Sequence, residues 1–234
     1  MSNFNPTRVR LVDQVGSNLL VRGNTPIVQK EGRQFMAFDL VVRTINQCLE
    51  SGATDIHQQM PVSTQLPERF HFVSLSLMSN TGLEGRYLDM ETVFFEQHPD
   101  KGLVIHDDIE KVINLGLIKE NLGKQVEHRV IQRLHQLLNS QLPDPVVVYL
   151  HSAAGLDRTG AVVYSYAMRH ASYAFQDAIR LNEQSGFRQI NNFSLMAVEQ
   201  YAYYLKRFMG ISTVGEAEPV EYNDLAGLSL VEHS

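Results

Sequence analysis

The 234-residue chain has a single cysteine, no tryptophan and no long apolar run. One cysteine, Cys48, cannot close an internal disulfide, so the chain is no disulfide-stapled scaffold and is expected in a reducing compartment or to be indifferent to redox. No stretch approaches the roughly 20 apolar residues that a membrane-spanning helix needs. The opening MSNFNPTRVRLVDQVG lacks the apolar centre of a secretory signal. The expectation is therefore a cytoplasmic protein, or one delivered into a host cytosol by a specialised secretion system whose signal cannot be read here. Positive charge is also scarce: 20 Lys plus Arg face 26 Asp plus Glu, for a net charge of −6. Five of the acids (Glu216, Glu218, Glu221, Asp224 and Glu232) lie where there is no Lys or Arg, which leaves a net charge of −1 for residues 1–210. So neutral a body has no basic footprint for nucleic acid.

What is present is an ordered, globular composition, 44% hydrophobic and 20% charged, in a chain long enough for one full core. NLLVRGNTPIV (18–28) reads as a strand running into a turn at Gly23 to Pro26. Phe35, Phe38, Val41, Val42, Ile45, Cys48 and Leu49 recur at helical spacing, predicting a helix over 33–50 closed by Gly52. On that stripe Cys48 is expected to be a small buried hydrophobe. ATDIHQQ and RFHFVSLSLM read as further strands. Residues 79–124 have weak periodicity and scattered glycines, and read as an insertion with short helices around DMETVFFEQ and DDIEKVINLG. QVEHRVIQRLHQLLN (125–139) is amphipathic, PDP breaks the chain, and VVVYL is an apolar run typical of a central parallel strand. Helices are expected over 159–170, 173–184 and 192–209. The fold class is therefore α/β: a central, mostly parallel sheet flanked by helices, with a helical C-terminal half. The domain occupies residues 1–210, and residues 211–234 form an acidic tail expected to be mobile after Gly215.

The chemistry concentrates in VVVYLHSAAGLDRTGAVV, residues 146–163. After the strand, His151-Ser152-Ala153-Ala154-Gly155-Leu156-Asp157-Arg158-Thr159-Gly160 offers small residues that let the backbone curl with its N–H groups inward. The following helix aims its positive end at the same point, which makes an anion site. Arg158 adds a planar fork for two phosphate oxygens. Gly155 allows unusual backbone angles and Gly160 a close helix contact. A nucleotide P-loop would need Lys after Gly160, where Ala161 stands. A hydrolase nucleophile elbow would need glycines where Leu150 and Ala154 stand. A purely structural turn has no use for His, Asp, Arg and Thr together.

This loop resembles the signature of the cysteine-dependent protein tyrosine and dual-specificity phosphatases: His-Cys, five residues, then Arg-Ser/Thr. Ser152 stands in the cysteine position. LLVRGNTP, the helix at 33–50 and the strands near 54 and 70 resemble the N-terminal half of the dual-specificity type. The resemblance covers about residues 18–209, interrupted by the insertion. It implies that Ser152 marks the nucleophile, that Arg158 and the amides of Ala153, Ala154, Gly155 and Leu156 hold the phosphate, that Thr159 supports the leaving sulfur, and that His151 tunes the nucleophile. It implies no cofactor and no metal, since amides and Arg158 neutralise the phosphoryl charge.

A cysteine at 152 would have its pKa lowered to roughly 3.5–7.5 by the helix end and Arg158, whereas a serine hydroxyl needs a general base. His151, at the strand end, is expected to point away from the line of attack. By family the chain is thus an enzyme, a phosphoric monoester hydrolase, but with Ser152 it is expected to bind and not to cut. Two histories fit. Either a working phosphatase was changed from Cys to Ser to trap ligand, or this is a natural pseudophosphatase serving as a phospho-ligand binding module. The otherwise intact loop favours the first.

The leaving oxygen needs an acid. In the family it usually comes from a loop after the strand that RFHFVSLSLM resembles. Glu84, Asp89, Asp100, Asp107 and Asp108 lie in that region, none in a recognisable setting, and each reads as a solvated loop carboxylate before it reads as the acid. Asp157 makes Asp-Arg-Thr, resembling the Sac-type and myotubularin-type inositol-lipid phosphatases and several bacterial secreted ones. A carboxylate bracing the loop is the equal reading of Asp157. Against lipid, Ala153 and Leu156 stand where many lipid phosphatases carry lysine, so phosphoinositide and phosphotyrosine protein both remain as the expected partner. A lipid substrate would place the protein at a membrane periphery. His106-Asp107-Asp108 completes no metal site, and His128 and His135 lie seven apart, off the four-residue zinc spacing.

Overall fold

The computed structural model describes residues 4–56, 63–109 and 126–217. Five strands form the central sheet, in the order β1 (Arg10–Val15), β2 (Asn18–Asn24), β7 (Val146–Ser152), β5 (His71–Ser76) and β6 (Leu103–His106). β1 pairs antiparallel with β2, and every other pairing is parallel. This is the expected α/β architecture with a mostly parallel sheet.

β7 is central because every residue of Val146–Ser152 is buried. Its side chains alternate between two cores, as the pleat requires. Val146, Val148 and Leu150 join the core under α3 (Gln132–Leu138), α4 (Asp157–His170), α5 (Phe175–Ala178), α6 (Leu181–Gln184) and α7 (Asn192–Phe208). Val147 and Tyr149 join Leu19, Val21 and Phe72 under α1 (Phe38–Ser51) and α2 (Gly82–Gln97). Helices thus cover both faces, the packing that such a continuously apolar strand needs. Cys48 is buried on α1, and burial pushes its thiol pKa up, so it behaves as the expected inert hydrophobe. Gly52 ends α1 in the left-handed conformation, its amide bonded to the carbonyls of Cys48 and Leu49.

Several expectations need correction. Residues 33–36 are not helical: β4 (Arg33–Met36) pairs with β3 (Ile27–Lys30) across a two-residue turn, Glu31-Gly32, with both φ values positive. The Phe35-to-Phe38 spacing imitated a helix across that boundary. Residues 79–109 are more than an insertion, because α2 is a 16-residue helix and β6 is an edge strand of the main sheet. Residues 173–184 break into the two short helices α5 and α6, and the helix expected at 125–139 opens with a π turn, Glu127–Ile131. Around Thr54 there is a single bridge to Leu11 in place of a strand. At the start of the tail, Val214 is buried against the helical core. The strand predicted over 57–59, the short helix over 110–116 and the tail from 218 lie outside the described residues. Among the described residues no helix is long and apolar enough to cross a membrane.

Candidate active site

β2 and β7 end level with each other, Asn24 opposite Ser152, and the loop 153–156 rises from that carboxyl end of the sheet into α4. This is where open α/β sheets place ligands. Ser152 is 2% exposed. Its Oγ accepts the Gly155 amide at 3.2 Å and the Thr159 hydroxyl at 2.9 Å. Two donors therefore converge on the one atom that the resemblance marks as the nucleophile, and negative charge placed there would be stabilised by both.

The loop curls this way because its carbonyls are held outward. Thr25 donates its amide to the Ala153 carbonyl at 3.3 Å, and Arg22 Nη2 donates to the Gly155 carbonyl at 2.8 Å. Gly155 has φ +70°, and a Cβ there would stand 2.3 Å from the Gly23 carbonyl oxygen. Glycine is required by conformation and by space. Arg22 is wholly buried, anchored by Asp55 Oδ2 at 3.1 Å and Asn182 Oδ1 at 2.7 Å. Asp55 also receives Arg10 at 2.8 Å and the Ser185 hydroxyl at 2.5 Å. A guanidinium buried without such partners would be costly, so this network holds the loop as one unit with β2 and α6. Gly160 fits its expected role: a Cβ there would meet Ile190 at 2.6 Å. Leu156 packs its side chain inward and precedes the first turn of α4, so only its backbone is available to a ligand.

Arg158 stands in the first turn of α4 and reaches back over the loop. Its Nη1 donates to Glu84 Oε2 at 2.7 Å and to the Leu77 carbonyl at 3.2 Å, and its Nη2 to Glu84 Oε1 at 2.5 Å. Glu84 Oε2 also accepts the Ser79 amide at 2.7 Å. Burial alone would raise the Glu84 pKa, but the Arg158 fork and the Ser79 amide outweigh it and hold the carboxyl below the usual glutamate range. A carboxylate so stabilised is a poor proton donor.

Asp157 turns away from the loop. Its two oxygens take Arg188 Nη1 and Nη2 at 2.8 and 2.6 Å, and Oδ1 also accepts the Asn191 amide at 2.7 Å. Burial pushes its pKa up, yet Arg188 and the Asn191 amide leave it net lowered. This is the geometry of the bracing reading. His151 is wholly buried on the opposite face of the strand from Ser152, its Nε2 3.1 Å from both Glu91 Oε2 and Ser74 Oγ. It faces α2, away from the Ser152 oxygen, as its strand position predicted.

Of the other carboxylates, Asp89 and Asp100 are exposed. Asp107 is buried in ion pairs with Arg129 at 3.0 Å and Arg133 at 3.4 Å. Asp108 is also buried, and its charge acts to raise the Glu84 pKa against the pull of Arg158. His106 Nε2 lies 2.8 Å from the Met78 carbonyl and His135 stacks on His170. Among the described residues no three His, Cys, Asp or Glu side chains are grouped to hold a metal.

The sequence reading missed Arg22, Asp55, Asn182 and Glu91. One signal was available: an arginine inside the apolar strand LLVRG, where a charge is placed only if something buried receives it.

No protein-family model and no curated protein matches this chain. Among solved structures it is similar to kinase associated phosphatase with its catalytic cysteine replaced by serine, at 13% identity and a TM-score of 0.44, covering 90% of this chain and 96% of that one. It is also similar to PTPMT1, at 15% identity and a TM-score of 0.41, covering 84% and 98%. Similarity so low assigns no activity, and what the loop can do follows from its own geometry.

Proposed function

We propose that this chain is a phosphomonoester-binding protein on a cysteine-phosphatase framework, able to hydrolyse phosphoinositides or phosphotyrosine proteins when position 152 is cysteine. The carrying observation is the convergence of the Gly155 amide and the Thr159 hydroxyl on Ser152 Oγ, with Arg158 projecting from the same helix turn. In the cysteine form, the sulfur would attack phosphorus and form an S–P bond while the P–O bond to the leaving oxygen breaks. A carboxylic acid would supply the proton to that oxygen. Water would then cleave the S–P bond, with Thr159 supporting the departing thiolate.

With Ser152 the cradle remains and the nucleophile does not. Its two hydrogen-bond partners among the described residues are an amide and a hydroxyl, and neither is a base. The Ser152 chain is thus read as binding its ligand without turnover. Ser152 itself favours the second reading, a natural binding module or scaffold. Calorimetry with inorganic phosphate tests what the two share: the Ser152 chain binds, and Arg158→Ala abolishes the heat. Equal affinity in both proteins would remove the phosphate cradle.

A further inference from the structure

The two sides of the loop differ in how their charges are answered. On the side of β5 and β6, Glu84 is paired with Arg158 and Asp107 with Arg129 and Arg133. On the side of β1 and β2 stand Arg8 and Arg188. The topology puts Arg8 there: β1 runs antiparallel to β2 with Arg10 opposite Arg22, so the 3-10 turn Pro6–Arg8 lies at the sheet end from which the loop rises. The Arg8 guanidinium is 5.5 Å from the centre of the Phe187 ring, which also lies 5.1 Å from the Arg22 guanidinium. Arg22 in turn holds the Gly155 carbonyl, and Arg188, next to Phe187, is tied to Asp157. Phe187 therefore links Arg8 to the back of the loop.

The charges around Phe187 do not balance. Arg188 is answered by Asp157, and Arg10 and Arg22 share Asp55. No carboxylate among the described residues pairs with Arg8, and its Nη1 is buried with no hydrogen-bond partner among them. Burial first, and then Arg22 and Arg188, lower the Arg8 pKa, as expected for a cation held among cations. Such a group gains most from an anion brought to it.

We infer that Arg8 forms a second anion subsite on the β1 and β2 rim, which takes a second phosphate of a ligand whose first phosphate lies in the loop. The inference rests on the phosphate-binding reading of that loop. The ligand class it fits is a cyclitol with two phosphomonoesters on one small ring, either free or as a lipid headgroup. A ring projects two phosphates from one compact body, whereas neighbouring side chains of an extended phosphopeptide point to opposite faces.

Calorimetry on the full-length Ser152 chain tests this, with inorganic phosphate, an inositol monophosphate and a vicinal inositol bisphosphate as probes. The bisphosphate should bind about tenfold tighter than the monophosphate, as one charge-assisted contact allows. Arg8→Gln should erase that difference without changing monophosphate affinity, and Arg8→Lys should keep part of it. Overturning results are equal affinities in the unchanged chain, or a preference that survives Arg8→Gln. An Arg8-dependent gain for a doubly phosphorylated peptide alone would overturn the cyclitol class. Failure of phosphate and monophosphate to bind at all would sink the loop reading itself, which is a distinguishable outcome. Phosphatidylcholine vesicles carrying a bisphosphorylated or monophosphorylated phosphoinositide separate the sources. Arg8-dependent preference on vesicles assigns a lipid headgroup, and preference in solution alone assigns the free cyclitol.

Discussion

Glu84 holds the Arg158 guanidinium end-on, Oε1 to Nη2 at 2.5 Å and Oε2 to Nη1 at 2.7 Å, so a carboxylate already occupies donors that a phosphate would use. An entering dianion must share the fork or displace Glu84, and it meets a negative charge in either case. Glu84→Gln should therefore tighten phosphate binding by about tenfold, a modest fraction of the Coulomb term for charges some 4 Å apart near a protein surface. Because the Glu84 pKa is lowered, the unmodified protein keeps this handicap until the pH falls below the ordinary glutamate range. Titrations at pH 7 on the two proteins decide the matter. Weaker binding by the glutamine variant would mean that Glu84 serves to aim Arg158 and does not compete.

The loop was legible in the sequence because its requirements are local: small residues for the curl, glycine at 155 and an arginine in the first turn of a helix. The central strand was legible because a strand covered on both faces must be apolar throughout. What could not be read were partners far apart in the chain. Arg22 meets Asn182 across 160 positions and Arg158 meets Glu84 across 74, and no periodicity encodes such pairs. The β3–β4 hairpin was hidden for a different reason: Glu31-Gly32 is a weaker turn signal than Asn-Gly, and Phe35 completed a helical spacing by coincidence.

Acid should loosen the fold through a histidine remote from the loop. His170 stacks on His135 with ring centres 4.4 Å apart, next to Tyr166 and Arg169. Burial, then His135 and Arg169, lower its pKa from 6.5 to about 4. Between those values the unfolded chain takes up a proton that the folded chain refuses. The stability that neutral His170 represents is complete above pH 6.5 and is lost as the pH falls toward 4. His170→Phe keeps a ring for the stack and removes a buried Nε2 that has no partner among the described residues. Urea unfolding at pH 7 and pH 5 should show a smaller acid loss for His170→Phe than for the unchanged protein. Identical losses would place the acid sensitivity elsewhere.

The nucleophile and the acid can be tested together. Ser152→Cys should create a metal-independent phosphatase, since the Gly155 amide and Thr159 already converge on that position and the helix end favours a thiolate. The expected gain on an aryl phosphate is several orders of magnitude; a folded but inactive variant would leave the binding module as the better reading. In the cysteine background, Asp157→Asn breaks the Arg188 brace and should lower turnover equally for aryl and alkyl phosphates, because both Asp157 oxygens are engaged away from the loop. The lowered Asp157 pKa points the same way, since an acid ionised at neutral pH has no proton to give. Asp108, buried two residues past the end of β6 and acting on the charge of Glu84, is the carboxylate to test against Asp157. Asp108→Asn should lower turnover of an alkyl phosphate by about 100-fold, within the usual range for general acid catalysis, and spare an activated aryl phosphate whose leaving oxygen scarcely needs protonation. If instead Asp157→Asn shows that split and Asp108→Asn does not, the acid is Asp157, and its brace with Arg188 must open during turnover.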